Sequence, residues 1–182
     1  MEKWKIISDK YLFQNPPWLT IREDKLLMPD GGIMDSYYVF EYPDWVSVIA
    51  IDTLGQMIMI KQYRHALGVV AYELSAGISD DTDPNTLYSA QRELLEETGY
   101  GGGKWSYWMK NSANPGTHTN YTHCYLAIDV HPIQDQTLDK TEDIEVHVLD
   151  QKEVYQLLLN NEFHQSLHAA PLWKYFAMHK PQ

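Results

Sequence analysis

The chain has 182 residues, 44% of them hydrophobic, with one cysteine and a formal net charge of −11. That length suits one domain or one domain with an annex, and the apolar share argues for a packed core and against disorder. The acidic balance argues against a duplex nucleic-acid partner, which needs a basic face. Cys124 alone cannot form an internal disulfide, and the absence of a spanning apolar run or a basic-then-apolar start predicts no membrane partner and a cytoplasmic address.

Residues 1–43 read as a small β annex. Stretches 18–28 and 34–42 are strand-like, and Pro29, Asp30, Gly31 and Gly32 between them are a turn signal. Two or three strands cannot stand alone. Trp4, Tyr11, Leu12, Phe13, Trp18, Tyr37 and Tyr38 would leave a large apolar patch on a monomer, so a homodimer built on this annex is expected.

The main domain is expected over 44–182. Strands are predicted at 46–52 and 56–63 around a Thr53-Leu54-Gly55 turn, then a short strand ending at Leu74 and a helix over about 86–98. Further strands follow at 104–110, 121–130 and 144–149, separated by a loop over 111–119 and an acidic loop over 135–143. Asp150 caps a helix to about Leu159, and a last helix over 167–178 is expected to break near Pro171. Strands interleaved with helices predict an α/β fold, a mixed sheet covered on both faces.

The helix over 86–98 carries the chemistry. Pro84 and Asn85 are suited to its start and Gly99 to a left-handed cap. Leu87, Ala90, Leu94 and Thr98 form its inward stripe. Glu93, Glu96 and Glu97 stand at i, i+3 and i+4, so their carboxylates share a flank and raise one another's pKa. A hard divalent cation relieves that repulsion, with Mg²⁺ the first choice and Mn²⁺ the alternative. Arg92, at i−4 to Glu96, can hold that carboxylate. The competing reading is a solvated acidic face with one intrahelical ion pair.

Gly77, Arg92, Glu93, Leu94, Glu96, Glu97, Gly99 and Tyr100 together match the box of the Nudix hydrolases, G-x5-E-x7-R-E-U-x-E-E-x-G-U, with U apolar or aromatic. The chain departs from it twice: Asp83 stands at the first glutamate, and eight residues rather than seven separate it from Arg92. The resemblance covers about residues 45–180 and implies an α/β/α sandwich with Glu93, Glu96 and Glu97 as metal ligands and Arg92 and Glu96 in the catalytic machinery. Within the family, Gln62-Tyr63-Arg64 followed by Glu73-Leu74-Ser75-Ala76-Gly77 resembles the ADP-ribose pyrophosphatase group. That implies phosphate binding by Arg64, against a surface salt bridge as the plainer reading, substrate contact by Glu73, and metal ligation by the Ala76 carbonyl. Ser112 to Gly116 resembles the group's S-P-G loop and places Gly116 near substrate. In dimeric relatives the N-terminal strands exchange between subunits and their aromatics help hold the nucleoside. His118 and His123 are expected to be structural.

Three carboxylates committed to cations make poor proton acceptors, so a further base is wanted. Glu142, just before Asp143-Ile144, resembles the glutamate that serves as base in the ADP-ribose group; Asp139 and Asp143 are the alternatives. The expected activity is Mg²⁺-dependent hydrolysis of a nucleoside diphosphate derivative, ADP-ribose first, giving AMP and ribose 5-phosphate. A nucleotide-sugar such as GDP-mannose and a non-catalytic nucleotide sensor are the alternatives.

Overall fold

In the computed structural model, which describes residues 1–179, the chain divides into two units. The first comprises residues 1–43 and 112–121. Its strands β1 (Lys5–Asn15), β2 (Leu19–Leu27) and β3 (Ile33–Glu41) form an antiparallel sheet in that order. The β2–β3 turn is where the Pro-Asp-Gly-Gly signal lies: Gly31 takes φ +87°, its N–H bonds to Met28 O at 3.0 Å, and Gly32 N–H donates to Asp30 Oδ1 at 2.9 Å. Sequence reading had not delimited β1, which is exposed along its whole length. In the same unit Phe40 N–H donates to Thr117 O and Thr119 N–H to Phe40 O, so segment 112–121 lies beside β3.

The second unit holds residues 44–111 and the chain from 122 onward. Its central strand is β4 (Trp45–Asp52), whose almost unbroken apolar run suits burial on both faces. There follow β5 (Met57–Arg64), β6 (Val69–Glu73), β7 (Ser75–Ile78), α1 (Thr86–Thr98), β8 (Tyr100–Gly101), β9 (Lys104–Asn111), β10 (Thr122–Pro132), β11 (Ile144–Leu149), α2 (Gln151–Leu159) and α3 (Ser166–Met178). The sheet runs β11-β5-β4-β10-β8, with β6 on β5, β7 on β4 and β9 on β10. Only β10 and β4 pair in parallel, so the sheet is mixed.

The alternation of β4 sets the layers. Val46, Val48 and Ala50 meet Ala90 and Leu94 of α1 on one face. Ile49 and Ile51 meet Val154 and Leu158 of α2 and Leu172 and Phe176 of α3 on the other. This is the expected α/β/α sandwich. Cys124 is buried in β10, as its sequence context predicted.

The expected break at Pro171 does not occur: α3 runs through it to Met178. An interior proline costs about 3 kcal/mol through a lost N–H and a ring clash. Burial of Leu167, Leu172, Tyr175 and Phe176 along one face offsets that cost, and Trp108 Nε1–H donates to the Pro171 carbonyl at 3.2 Å.

Candidate active site

Helix α1 begins and ends on the predicted signals. Asn85 Oδ1 accepts from Tyr88 N–H at 3.0 Å, and Gly99, at φ 76°, donates its N–H to Leu95 O at 2.9 Å. Ala90, Leu94 and Thr98 face the core as expected, with Leu87 partly buried. Glu97, seven residues after Ala90 and so at the edge of that stripe, is buried as well, at 3% exposure.

The reason is β7. Paired to β4 through Ser47–Ala76 and Val46–Gly77, it brings two backbone positions against the helix. Ala76 N–H donates to Glu97 Oε2 at 3.0 Å. Gly77 accommodates Glu93: a Cβ there would collide with all three atoms of the Glu93 carboxylate.

Burial pushes the Glu97 carboxyl up to about 8, with the charges of Glu93 and Glu142 adding and the Ala76 N–H opposing. Burial pushes Glu93 up to about 7 against the pull of Arg92, and Glu96 and Glu142 add to the rise. Hard oxygen donors in a site with more negative than positive charge fit a divalent cation. Glu93, Glu96, Glu97 and the Ala76 carbonyl are the groups that would hold it. Among the described residues no three acidic side chains converge as a closed cage. Arg92 instead gathers the outer carboxylates: its Nη1 reaches Glu93 Oε1 at 2.8 Å and Glu96 Oε2 at 3.0 Å.

Asp83 completes the arginine's shell. Its Oδ2 accepts from Arg92 Nε at 3.3 Å and Nη2 at 3.1 Å, and Ile78 O accepts from Nη2 at 3.1 Å. The shorter acid therefore reaches Arg92 despite the extra residue. Upstream of Asp83 the chain turns at Asp80, which accepts from Thr82 N–H at 2.7 Å through Oδ1 and from Asp83 N–H at 3.0 Å through its carbonyl.

The acidic loop docks on the open end of α1. Thr137 N–H donates to Glu96 O at 2.9 Å, and Gln136 Nε2 donates to Glu97 O at 2.6 Å and to Ile144 O at 3.2 Å. These bonds satisfy carbonyls that a helix end leaves unpaired. They also bring Glu142 close enough for its charge to act on Glu93 and Glu97. Glu142 Oε2 accepts from Asp139 N–H at 2.8 Å, so the two acids share one turn. Asp143 stands next to β11, where a strand-edge residue was expected.

A cavity of about 570 Å³ opens beside Ala76 and Gly77. Arg64, Glu73, Leu67, Gln165 and His168 are among its walls. Arg64, its own side chain 42% exposed, pairs with a buried partner. Its Nε donates to Glu73 Oε1 at 2.7 Å and its Nη2 to Glu73 Oε2, and Glu73 is 2% exposed. Burial alone would raise the Glu73 carboxyl; hydrogen bonds from Arg64 and His168 overcome it and hold the group at about 2. Glu97 also lies near enough to stabilise the Arg64 charge. The cavity wall thus carries Arg64, Glu73 and Ala76, and the Ala76 N–H links it to Glu97.

Gly116 lies in the other unit, where its carbonyl accepts from the Tyr37 hydroxyl and its N–H donates to Asn114 Oδ1 at 3.2 Å. His123 has partners on both nitrogens, Asp44 Oδ2 at 2.9 Å and the Tyr107 hydroxyl at 3.2 Å, in keeping with a structural role. His118 packs against the rings of Phe40 and Tyr42, with a buried Nδ1 that finds no partner among the described residues. Sequence reading passed over His168. The available signal was a histidine at the head of an apolar helix face, directly after Leu167.

Residues 41–170 match the family described as NUDIX domain, and residues 4–40 match the family described as nucleoside diphosphate sugar hydrolase N-terminal domain. An ADP-ribose pyrophosphatase of Mycobacterium tuberculosis is 35% identical over 107 residues, 59% of this chain and 51% of that protein. The match therefore spans about half of that relative's length. An ADP-ribose pyrophosphatase of Bacillus subtilis is 30% identical over 126 residues, 68% of this chain and 67% of that protein. A crystal structure of an ADP compounds hydrolase superposes with TM-score 0.84 over 100% of this chain and 98% of its own, at 19% identity, a likeness of fold.

Proposed function

This chain belongs to the Nudix hydrolase family, and from that premise we propose that it cleaves the pyrophosphate of a nucleoside diphosphate derivative, ADP-ribose first, to AMP and ribose 5-phosphate. The observation that carries the reading is the pair Glu93, half-buried beside Gly77, and Glu97, buried beside Ala76, with the charge of Glu142 in reach. Divalent cations held by Glu93, Glu96, Glu97 and the Ala76 carbonyl, Mg²⁺ before Mn²⁺, would neutralise the pyrophosphate oxygens and make a bound water acidic.

The remaining steps belong to the chain. Arg92 keeps Glu93 and Glu96 in register on α1. Arg64 gives Nε and Nη2 to Glu73 and keeps Nη1 for a phosphate oxygen, as a fixed guanidinium fork suits a diphosphate. Glu142 takes the proton of the attacking water. Gly116 is assigned to substrate contact on its loop's resemblance. The exposed Ile6, Tyr11, Phe13 and Trp18 of the first unit support a homodimer formed through its sheet.

The names of two relatives favour ADP-ribose. The description of the N-terminal family, matched at residues 4–40, favours a nucleotide-sugar as the second reading. Incubation with Mg²⁺ and ADP-ribose should release AMP. Release of a nucleoside monophosphate only from GDP-mannose or another nucleotide-sugar would move the assignment to the second reading. No release from any member of the panel would leave a nucleotide sensor.

A further inference from the structure

We propose that His168, on the C-terminal helix, is a positioning residue for substrate binding: it fixes Glu73 so that Glu73 holds Arg64 toward the cavity. The inference rests on the phosphate-binding reading of Arg64.

His168 Nε2 lies 3.3 Å from Glu73 Oε2 and 3.0 Å from Gln165 Oε1. An ionised carboxylate only accepts, so Nε2 carries the hydrogen, and that one hydrogen is shared between Gln165 Oε1, the nearer oxygen, and Glu73 Oε2. Glu73 is therefore faced by donors from three side chains on two elements: Gln62 Nε2 of β5 at 3.4 Å, the Arg64 fork at the end of β5, and His168 of α3. Both Glu73 and His168 are 2% exposed. Water cannot replace a lost donor there without opening the core, and a buried carboxylate short of a donor turns toward whatever donor remains.

The direction of that turn gives the functional consequence. Arg64 already gives Glu73 two N–H groups. A Glu73 freed from His168 can follow Arg64 or draw it inward, and in either case the guanidinium loses its fixed place in the cavity wall. A fork that must be ordered at each binding event loses affinity. Gln165, which shares the His168 hydrogen, also lines the cavity.

The test is steady-state hydrolysis of ADP-ribose at saturating Mg²⁺, with calorimetric binding of ADP as a probe independent of turnover. His168→Leu should raise KM and the ADP dissociation constant about tenfold, with kcat within about twofold of wild type. His168→Gln, whose amide nitrogen can stand where Nε2 stands, should recover both. Arg64→Ala combined with His168→Leu should bind no worse than Arg64→Ala alone, because the histidine acts through the arginine. Should His168→Leu not fold, His168→Asn, polar but too short to reach Glu73, takes its place under the same criterion. Unchanged KM and ADP affinity, or a fall in kcat that tracks the folded fraction alone, would overturn the inference. A wild-type protein that neither binds ADP nor releases AMP would overturn the reading of Arg64 instead.

Discussion

Gly77→Ala isolates the contact between β7 and the carboxylate-bearing side of α1. A Cβ at residue 77 meets the Glu93 carboxyl carbon and both its oxygens, and nothing else comes as near. Restoring ordinary van der Waals separation takes a retreat of about 1 Å by that carboxylate. Gly77 does not occupy the left-handed region, so alanine adds no backbone strain. The Glu93 side chain can swing, and the fold should lose about 1 kcal/mol, a fall in Tm of about 2–4 °C at this chain length. A displacement of about 1 Å in a positioned catalytic group costs about a hundredfold in rate. Release of AMP from ADP-ribose, measured across a Mg²⁺ titration, should show kcat down by about that factor and half-saturation moved to higher Mg²⁺. In a Glu93→Gln background the alanine should add little, since the group it displaces is already disabled. Wild-type kcat and Mg²⁺ dependence in a folded Gly77→Ala protein would refute the placement of Glu93 in the site.

Three further outcomes are expected. Folded carboxyls at about 7 for Glu93 and about 8 for Glu97, against 4.5 unfolded, mean that the folded chain holds protons the unfolded chain releases; the Tm of chelated protein should fall as pH rises from about 4.5 to 8, level off above, and recover with Mg²⁺, so equal melting at pH 6 and 8.5 in EDTA would contradict the burial argument. Glu142→Gln should lower kcat by about a hundredfold with Mg²⁺ affinity nearly intact; full activity there, with loss in Asp139→Asn or Asp143→Asn, would move the base within the loop. Light scattering at micromolar concentration should give twice the chain mass, and a monomer mass would sink the homodimer.

Local signals carried a large part of this protein. Asn85 and Gly99 marked both ends of α1 because capping is decided by neighbouring backbone groups, and the i, i+3, i+4 glutamates follow from helix pitch alone. The layers followed from the apolar run of β4, whose alternation serves two cores. Other features needed the folded chain. Helix pitch puts Glu97 beside Glu93, but the pairing of β7 with β4 buries it, and that burial pushes its carboxyl up. Asp83 meets Arg92 across an extra residue, a contact that spacing along the chain does not determine. Pro171 failed to break α3 because core packing outweighs a local backbone cost. His168 gained its role from Glu73, a partner far along the chain, and two side chains so separated in sequence meet only through the order of strands and helices around them. Desolvation and long-range partnership are properties of the assembled layers, and for Glu73, Glu97 and His168 they decide the chemistry.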